Sequence, residues 1–480
     1  MAINVRPFDR EQLFLMPPSV SEWLPDGHLA WFVLDVVAEL DLAGFYAGHR
    51  EDGRGGAVYD PGVMLAILVY AYCVGERSSR RIERRLVEDV GFRVVAANQF
   101  PDHATLARFR GRHQEAITEL FDQVLGLCAA EGLIASGVVA IDGTKVEANA
   151  SAWSNRTRRQ IAEEILAEAE RVDAAEDQAL GDRRGDELPE RWADRRDRRA
   201  RLREALRQID AQGAADWETY MAARAAKEKA TGRKLGGRKP TKQSERGKVR
   251  HVNTTDPESR MVRARNRFFQ GYNAQAAVSE DHIIVAADVT NVGNDTTCFE
   301  PMVTAANHNL ARAGADPVGV FVADAGYWST DNASLAVTAE VLIAPVPATR
   351  GITDRRDPRL KKRRAVLTRL QAGKISIRQA AEQMGVSETW ARELLRSYRS
   401  DGPDPAAVRS DMEDRLATEA GAARYAKRKV TVEPVFGNIK ANLRFRRFSR
   451  RSLPAVTSEW RLICAIHNLL KLRRHQLAIA

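Results

Sequence analysis

Two short β-rich runs that each end in an aspartate constrain the fold of this chain more than any other feature. The first run is VVAID, which ends at Asp142, and the second is VFVAD, which ends at Asp324. A glycine follows each aspartate closely and supplies a turn after the strand. We therefore expect an α/β fold with a mixed sheet, in which two carboxylates lie at the ends of strands.

A third acid, Glu433, lies in YAKRKVTVEPVFGNIK, where we expect a helix to begin with Pro434 in its first turn. The three acids can therefore converge at one edge of the sheet. Carboxylate oxygens of this kind suit Mg²⁺ or Mn²⁺, which keep several waters and accept phosphate oxygens. Two such ions about 3.5–4 Å apart would hold the attacking and leaving oxygens of a phosphoryl displacement. The acids thus predict an enzyme that cuts or joins phosphodiesters.

The elements around these strands divide the chain into two predicted domains. Residues 1–135 have mostly helical patterning, and arginines on their helices can contact phosphates. Residues 136–480 carry the strands, with a charged helical hairpin and a basic linker inserted at about 150–250 and a second insertion at about 355–414. The predicted order is strand, insertion, two strands, helix, strand, helix and strand, followed by a helical C-terminal region.

The second insertion contains SIRQAAEQMGVSETWARELLRSY, which has the outline of a helix-turn-helix. Ser376 and Gln379 make a capping box for the first helix, and Gly385 makes the turn. In such a motif the second helix enters the major groove, where it would present Arg392 and Arg396 to bases or phosphates. An insertion that only packs on the core is an equally good interpretation.

The charge balance favours a polyanionic partner. Lys and Arg number 74 and Asp and Glu number 64, so the formal net charge is 74 − 64 = +10. The longest apolar run, at 63–75, is shorter than the roughly 20 residues of a membrane-spanning helix, and the N-terminus has no secretory pattern. The four cysteines are isolated, and no nucleotide-binding glycine motif is present. We therefore expect a cytoplasmic protein that binds nucleic acid, without a nucleotide cofactor and without a membrane contact.

Taken singly, each acid is also explained by a turn or a helix start, but several linked motifs carry a resemblance to a known family. They are AIDGTKVEANAS, TDPESRMVRA with GYNAQAAV, VTNVGNDTTCFEPM, FVADAGYWS and the stretch from Tyr425 to Leu472. In this order, and over nearly the full length, they resemble the DDE transposases of bacterial insertion sequences. The resemblance implies a ribonuclease-H-like core in which Asp142, Asp324 and Glu433 are the catalytic acids and bind two Mg²⁺ or Mn²⁺ ions.

The same resemblance assigns DNA contacts around the last acid. Tyr425, Arg428 and Lys440 match the basic and aromatic positions of a Tyr, Arg, Glu, Lys signature. Four residues separate Arg428 from Glu433, where the signature commonly has three, so Lys429 is a second candidate for the basic position. Lys440 lies seven residues after Glu433, and on a helix these two side chains project from nearly the same face.

The run KANLRFRRFSRR, at 440–451, interleaves basic and aromatic residues directly after this signature. Arg444, Arg446 and Arg447 can neutralise phosphates, and the phenylalanines between them would offer their faces to unpaired bases. The alternative is an amphipathic segment with both phenylalanines in the core. The run is a candidate DNA-binding groove in the first case and a structural element in the second.

The resemblance implies cut-and-paste transposition, in which the ends of a DNA element are cleaved and the freed 3′-hydroxyl attacks target DNA. The implied partners are double-stranded element and target DNA, with a homodimer on the paired ends. Two alternatives stay open: a DNA-binding regulator that uses the helix-turn-helix alone, and a nuclease without strand transfer. The three acids argue against the regulator, because a pure binding protein needs no carboxylates that face DNA. Nothing in the sequence argues against the nuclease.

Overall fold

The computed structural model describes most of the chain. The described residues are 19–47, 58–157, 159–165, 167, 196–231, 251–264, 267–345, 366–367, 369–370, 375–389, 391–392 and 405–479. The expected basic linker at 231–250 lies outside them apart from its first residue, and the expected break in the charged hairpin at 181–189 also lies outside them.

The front end of the chain is helical where it is described, as the patterning predicted. Its helices are α1 (Leu29–Glu39), α2 (Ala43–Tyr46), α3 (Pro61–Cys73), α4 (Ser79–Glu88), α5 (Val90–Val95), α6 (His103–Arg112) and α7 (Gln114–Ala130). The central helix is α3, which is apolar and almost entirely buried. It begins where Asp60 accepts hydrogen bonds from the N–H groups of Gly62 and Val63, and Pro61 occupies its first turn.

The described strands form one six-stranded mixed sheet and a separate two-stranded ribbon. The strands are β1 (Val138–Glu147), β2 (Asn155–Thr157), β3 (His251–Asn253), β4 (Arg260–Ala264), β5 (Arg267–Ser279), β6 (Ile284–Thr290), β7 (Val320–Ala323) and β8 (Glu340–Ile343). The order across the large sheet is β4, β5, β1, β7 and β8, with β6 also paired to β5, while β2 and β3 make the ribbon.

Strand β1 is the centre of the large sheet. It runs antiparallel to β5 and parallel to β7, which is in turn parallel to β8. Strands β5 and β6 form an antiparallel pair around a turn at Asp281 and His282. This topology confirms the predicted mixed α/β class and is consistent with a ribonuclease-H-like core.

Further helices flank the sheet and form the insertions. They are α8 (Arg196–Thr231), α9 (Phe299–Arg312), α10 (Thr330–Ala333), α11 (Ile377–Met384), α12 (Pro405–Ala417), α13 (Glu419–Ala441) and α14 (Leu453–Ile479). Within the described ranges, each helix is too short or too polar to pass through a lipid bilayer.

The expected helix start at Glu433 is wrong. Glu433 and Pro434 lie in the second half of α13, which begins fourteen residues before Glu433, at Glu419. Proline favours the first turn of a helix because it lacks an N–H, and in a helix interior it leaves the carbonyl four residues earlier without its donor. Here that carbonyl, of Val430, bonds instead to the side chain of His282. A partner distant in sequence therefore lets the helix continue through Pro434.

The predicted helix-turn-helix is confirmed for its first helix and its turn. Helix α11 has the expected capping box, and Gly385 ends it in the left-handed conformation at φ 64°. Four residues of the second helix are described, and Arg396 is not among them. Arg392 is exposed and pairs with Glu388 one turn earlier, at 3.0 Å.

One buried core joins the front end, the large sheet and the C-terminal helix. Helix α14 packs on α7, α3 and β6. Its Trp460 is fully buried, and the indole N–H donates to the carbonyl oxygen of Gln275 in β5 at 2.9 Å. Burial of apolar area contributes about 25 cal/mol per Å², so α14 fastens the front helices to the sheet.

A second junction connects the front end to the segment after α13. Arg77, which precedes α4, donates from Nη1 to the carbonyl of Arg447 at 3.0 Å and from Nη2 to the carbonyl of Arg444 at 2.8 Å. Its guanidinium also lies 4.7 Å from the ring centroid of Phe445. The junction holds the front helices against the basic run.

Trp460→Ala should lower the free energy of unfolding by about 3–5 kcal/mol, because it empties a buried aromatic site and removes the donor to Gln275. Denaturant unfolding of the full chain measures the loss. Trp153 is 90% exposed and supplies the matched control, since Trp153→Ala should change the free energy by less than about 0.5 kcal/mol. Equal losses in the two variants would contradict the fastening role of α14.

Candidate active site

Asp142 and Asp324 lie on two adjacent parallel strands, β1 and β7. The expectation that a strand ends at Asp142 is wrong, because pairing with β5 continues β1 from Asp142 to Glu147, whereas Asp324 directly follows the end of β7. The register pairs Ile141 of β1 with Ala323 of β7, so the two aspartates are the next residues of their strands. Adjacent strands lie about 4.8 Å apart, and in-register neighbours of parallel strands point to the same face. The structure thus brings together two of the three predicted acids.

The residues after each aspartate orient its carboxylate. The N–H of Gly143 donates to Oδ1 of Asp142, and the N–H of Gly326 donates to Oδ1 of Asp324, both at 2.8 Å. A side chain at either position would displace a neighbouring polar group of the site. A Cβ on Gly143 would lie 2.4 Å from Nε2 of Gln275, and a Cβ on Gly326 would lie 2.9 Å from the carboxylate it supports. Each glycine therefore supports a carboxylate, and Gly143 does so from inside β1, where a turn was expected.

Helix α13 packs on β1, β5 and β7 and brings basic groups to the acids. Nη1 of Arg428 lies 3.3 Å from Oδ2 of Asp142, and this arginine side chain is 12% exposed. Lys429, the other candidate for the basic position, is exposed on the helix surface. The ammonium of Lys440 donates a hydrogen bond to Oγ1 of Thr144, two residues beyond Asp142 on β1. Arg428, and not Lys429, is therefore the basic residue in contact with an acid.

Tyr425 lies in the same electrostatic field. Its side chain is half-buried, and burial raises the pKa of its hydroxyl, an effect that the neighbouring guanidinium of Arg428 opposes. The charges of Asp324 and Asp142 raise the pKa further, so the phenol lies in the electrostatic field of both carboxylates. Two predicted acids and two predicted DNA contacts thus share one site.

The environment of Asp142 raises the pKa of its carboxyl group. Burial raises its pKa to about 6, the neighbouring charges of Asp324 and Asp295 add to the rise, and the Gly143 N–H and Arg428 oppose it. An acid with this pKa loses its proton only as the pH rises through about 6. A bound cation would favour the ionised form.

Asp295 is a site residue that the sequence interpretation missed. Its Oδ1 accepts hydrogen bonds from Lys145 at 3.1 Å, Asn273 at 2.6 Å and Gln275 at 3.1 Å. Its charge also acts on Asp142. Asp295 lies in the loop before α9, in the stretch VGNDT, where an aspartate has no local signal beyond that of a turn residue. Only its hydrogen bonds in the folded chain identify Asp295 as a residue of the site.

The third predicted acid, Glu433, is exposed on α13, and its carboxylate has no hydrogen bond or ion pair with the described residues. It shares a helix face with Lys440, seven residues later, whose ammonium reaches Thr144 on β1. Within the described part of the chain, no group of three or more His, Cys, Asp or Glu side chains could hold a metal ion as it stands. A metal centre that includes Glu433 stays a prediction.

The basic run after α13 separates into an exposed and a buried side. Arg444, Arg446 and Arg447 are exposed, as a DNA-binding surface requires. Phe445 and Phe448 are fully buried and pack edge to face, with ring centroids 5.3 Å apart. The interpretation in which these rings stack on bases is wrong, because both rings are buried in the core.

Asp142→Asn should stabilise the metal-free protein more at pH 7.5 than at pH 4.5. The pKa of Asp142 is about 6 in the folded chain against an ordinary 3.8. The stability that the bound proton contributes is therefore present below pH 4 and lost as the pH rises through 6, a difference of about 3 kcal/mol.

Free energies of unfolding, measured in EDTA for the wild type and the variant at both pH values, check this prediction. The advantage of Asp142→Asn should appear at pH 7.5, and Mg²⁺ should reduce it there by stabilising the wild type alone. An advantage that is independent of pH would show that Asp142 titrates normally.

Family models match two segments of the chain. A model described as "Transposase DDE domain" matches residues 223–469, and one described as "Transposase domain (DUF772)" matches residues 18–112. No curated protein and no solved structure matches the chain. Asp324 and Glu433 lie in the first segment, and Asp142 lies between the two. Because the first match covers just over half of the residues, the chain belongs to the DDE transposase family.

Proposed function

We propose that the chain is the transposase of an insertion sequence, which binds the ends of its element, cleaves the DNA there and joins the freed 3′ ends to a target. The observation that carries the proposal is the juxtaposition of Asp142 and Asp324, each of which directly follows the paired residues Ile141 and Ala323 of adjacent parallel strands. The raised pKa of Asp142 reflects both burial and repulsion from its neighbour. A site that keeps like charges in place is suited to cations and to the phosphates that accompany them.

The donor set fits a divalent metal ion. Mg²⁺ is usually held by one or two carboxylates, several waters and the phosphate oxygens of a substrate. Asp142 and Asp324 would provide the carboxylates from the sheet, and Glu433 would add a third from α13. We assign these acids to two Mg²⁺ or Mn²⁺ ions, which when bound would stabilise the charge that develops at phosphorus.

Arg428 would bind the phosphate that is cleaved. Besides its contact with Asp142, it has an Nε that is buried and has no hydrogen-bond partner among the described residues. An unsatisfied buried donor costs about 1–3 kcal/mol, so a phosphate oxygen that accepts from Nε would recover that free energy. Lys440 and the hydroxyl of Tyr425 would contact neighbouring phosphates along the same helix.

Exposed arginines would hold the rest of the DNA. Arg444, Arg446 and Arg447 are exposed directly after α13 and would neutralise backbone phosphates. Further exposed arginines lie on the front helices, among them Arg84 on α4 and Arg108 on α6. The formal net charge of +10 agrees with a long track of phosphate contacts.

We assign recognition of the element ends to residues 1–135 as a DNA-binding domain, and catalysis to residues 136–480 with their two insertions. Arg392 and Arg396 of the second insertion are further candidates for contacts with base edges. Two copies of the chain would act together, because an element has two ends and each copy carries one set of acids. The reaction would take place on DNA in the cytoplasm.

Single substitutions of the acids test the proposal. Asp142→Ala, Asp324→Ala and Glu433→Ala should each slow end cleavage at least about a hundredfold, since each removes a ligand of ions that stabilise transition-state charge. The assay uses labelled duplexes with the terminal sequences of the encoding element, a supercoiled target plasmid and Mg²⁺. Binding of the same duplexes, followed by fluorescence anisotropy, should be retained. Glu300→Ala, an exposed change on α9, is the control and should cleave at the wild-type rate.

The products separate this proposal from its alternatives. Joined products support transposition, cleavage without joining indicates a nuclease, and binding alone indicates a regulator. Removal of metal with EDTA should abolish cleavage and joining together. An alanine variant that still cleaves would exclude its acid from the site.

A further inference from the structure

Pro434 leaves a gap in the hydrogen bonding of α13, one residue after Glu433. It has no N–H to donate to the carbonyl of Val430, four residues earlier. Nε2 of His282 lies 3.0 Å from that carbonyl oxygen. A carbonyl only accepts, so Nε2 carries a proton and donates it. The imidazole replaces the missing helical donor.

His282 is itself held by a second histidine. It lies in the turn between β5 and β6 and has a left-handed backbone, at φ 63°, which is uncommon for a residue other than glycine. Its carbonyl accepts a hydrogen bond from Nε2 of His467, on α14, at 2.9 Å. Burial lowers the pKa of His467 to about 4, so its ring is neutral and has its single proton on Nε2.

The neutral ring of His467 then reaches back to α13. With the proton on Nε2, its Nδ1 is an acceptor, and Nδ2 of Asn438 lies 3.0 Å from it. Val430 precedes Glu433 by three residues, and Asn438 follows it by five. The two histidines therefore bond to α13 on both sides of Pro434. We call His282 and His467 the histidine bracket.

A third contact ties the same turn to the same helix. Nζ of Lys427 lies 2.8 Å from Oε2 of Glu280, which is two residues before His282. Both groups are partly exposed, so this ion pair adds little free energy. It does keep the turn beside the helix, where the bracket can form.

We propose that the histidine bracket positions the carboxylate of Glu433 against Asp142 of β1 and Asp324, which follows β7. The inference rests on the proposed function, which makes Glu433 the third acid. Since no side chain of the described residues bonds to that carboxylate, its place depends on the axis of α13. A proline inside a helix permits a kink, and bonds to α13 on both sides of Pro434 would hold the helix axis there. His282 and His467 are positioning residues and touch no DNA.

A cycle of substitutions in the full chain tests the bond to Val430. Pro434→Ala restores the helical N–H, so His282 should matter only while Pro434 is present. We expect His282→Ala to lower the Tm by about 1–2 °C in the wild-type background and to leave the Tm unchanged in the Pro434→Ala background. An equal fall in both backgrounds would overturn the bracket.

The effect on chemistry is measured with the labelled end duplexes and Mg²⁺. His282→Ala should lower kcat at least about tenfold and leave KM nearly unchanged, because displacement of a catalytic group slows the reaction without weakening DNA binding. His282→Gln, whose amide can donate to Val430, should recover most of the rate. His308→Ala, an exposed change on α9, is the matched control and should keep both constants.

The outcomes distinguish this inference from the proposed function. If the wild type cleaves no end, the proposed function fails, and the assignment of Glu433 that the bracket serves fails with it. If the wild type cleaves and His282→Ala keeps its kcat or changes only KM, the bracket alone is overturned. A fall in kcat that His282→Gln restores supports it.

Discussion

The parallel pairing of β1 with β7 is the interaction on which the candidate site depends. A shift of one residue in this ladder would turn Asp324 to the face opposite Asp142. The two acids repel each other, so their interaction cannot set the register. Burial sets it, since all four residues of β7 and the first four of β1 are enclosed. The apolar residues of the two strands thus stabilise a juxtaposition that the acids alone would oppose.

The sequence predicts those parts of the site that local patterns determine. A β-rich run followed by aspartate is visible in the sequence, so both strands and both acids were found. The end of the first strand was misplaced, because the pairing with β5 that carries β1 on to Glu147 leaves no local signal. Asp295 was missed, because its position is defined by three donors on β1 and β5 and by no pattern of its own. The helix start expected at Pro434 failed for the same reason, since the donor that replaces the missing N–H belongs to a turn about 150 residues earlier.

In the protein without ligands, the basic residues of α13 act as internal counter-ions. Arg428 offsets part of the charge of Asp142, and Lys440 bonds to Thr144 on the same strand. On the proposed function these groups exchange partners when DNA and cations arrive, with the cations taking the carboxylates and the basic groups taking phosphates. Such an exchange needs little movement of the backbone, because flexible side chains make every contact that changes.

Arg77 donates its hydrogen bonds in the basic run to main-chain carbonyls, and it also packs over the buried ring of Phe445. The side chain of Arg444 can therefore vary while the attachment persists, whereas the side chain of Arg447 donates to the carbonyl of Ala148 at 3.1 Å. Grafting the front helices of another element onto this chain would succeed only if they brought an arginine to the same place. In this respect, the domain assigned to end recognition cannot be exchanged independently of the domain assigned to catalysis. Substitutions that adapt the chain to new terminal sequences are therefore expected on the outer surface of the front helices.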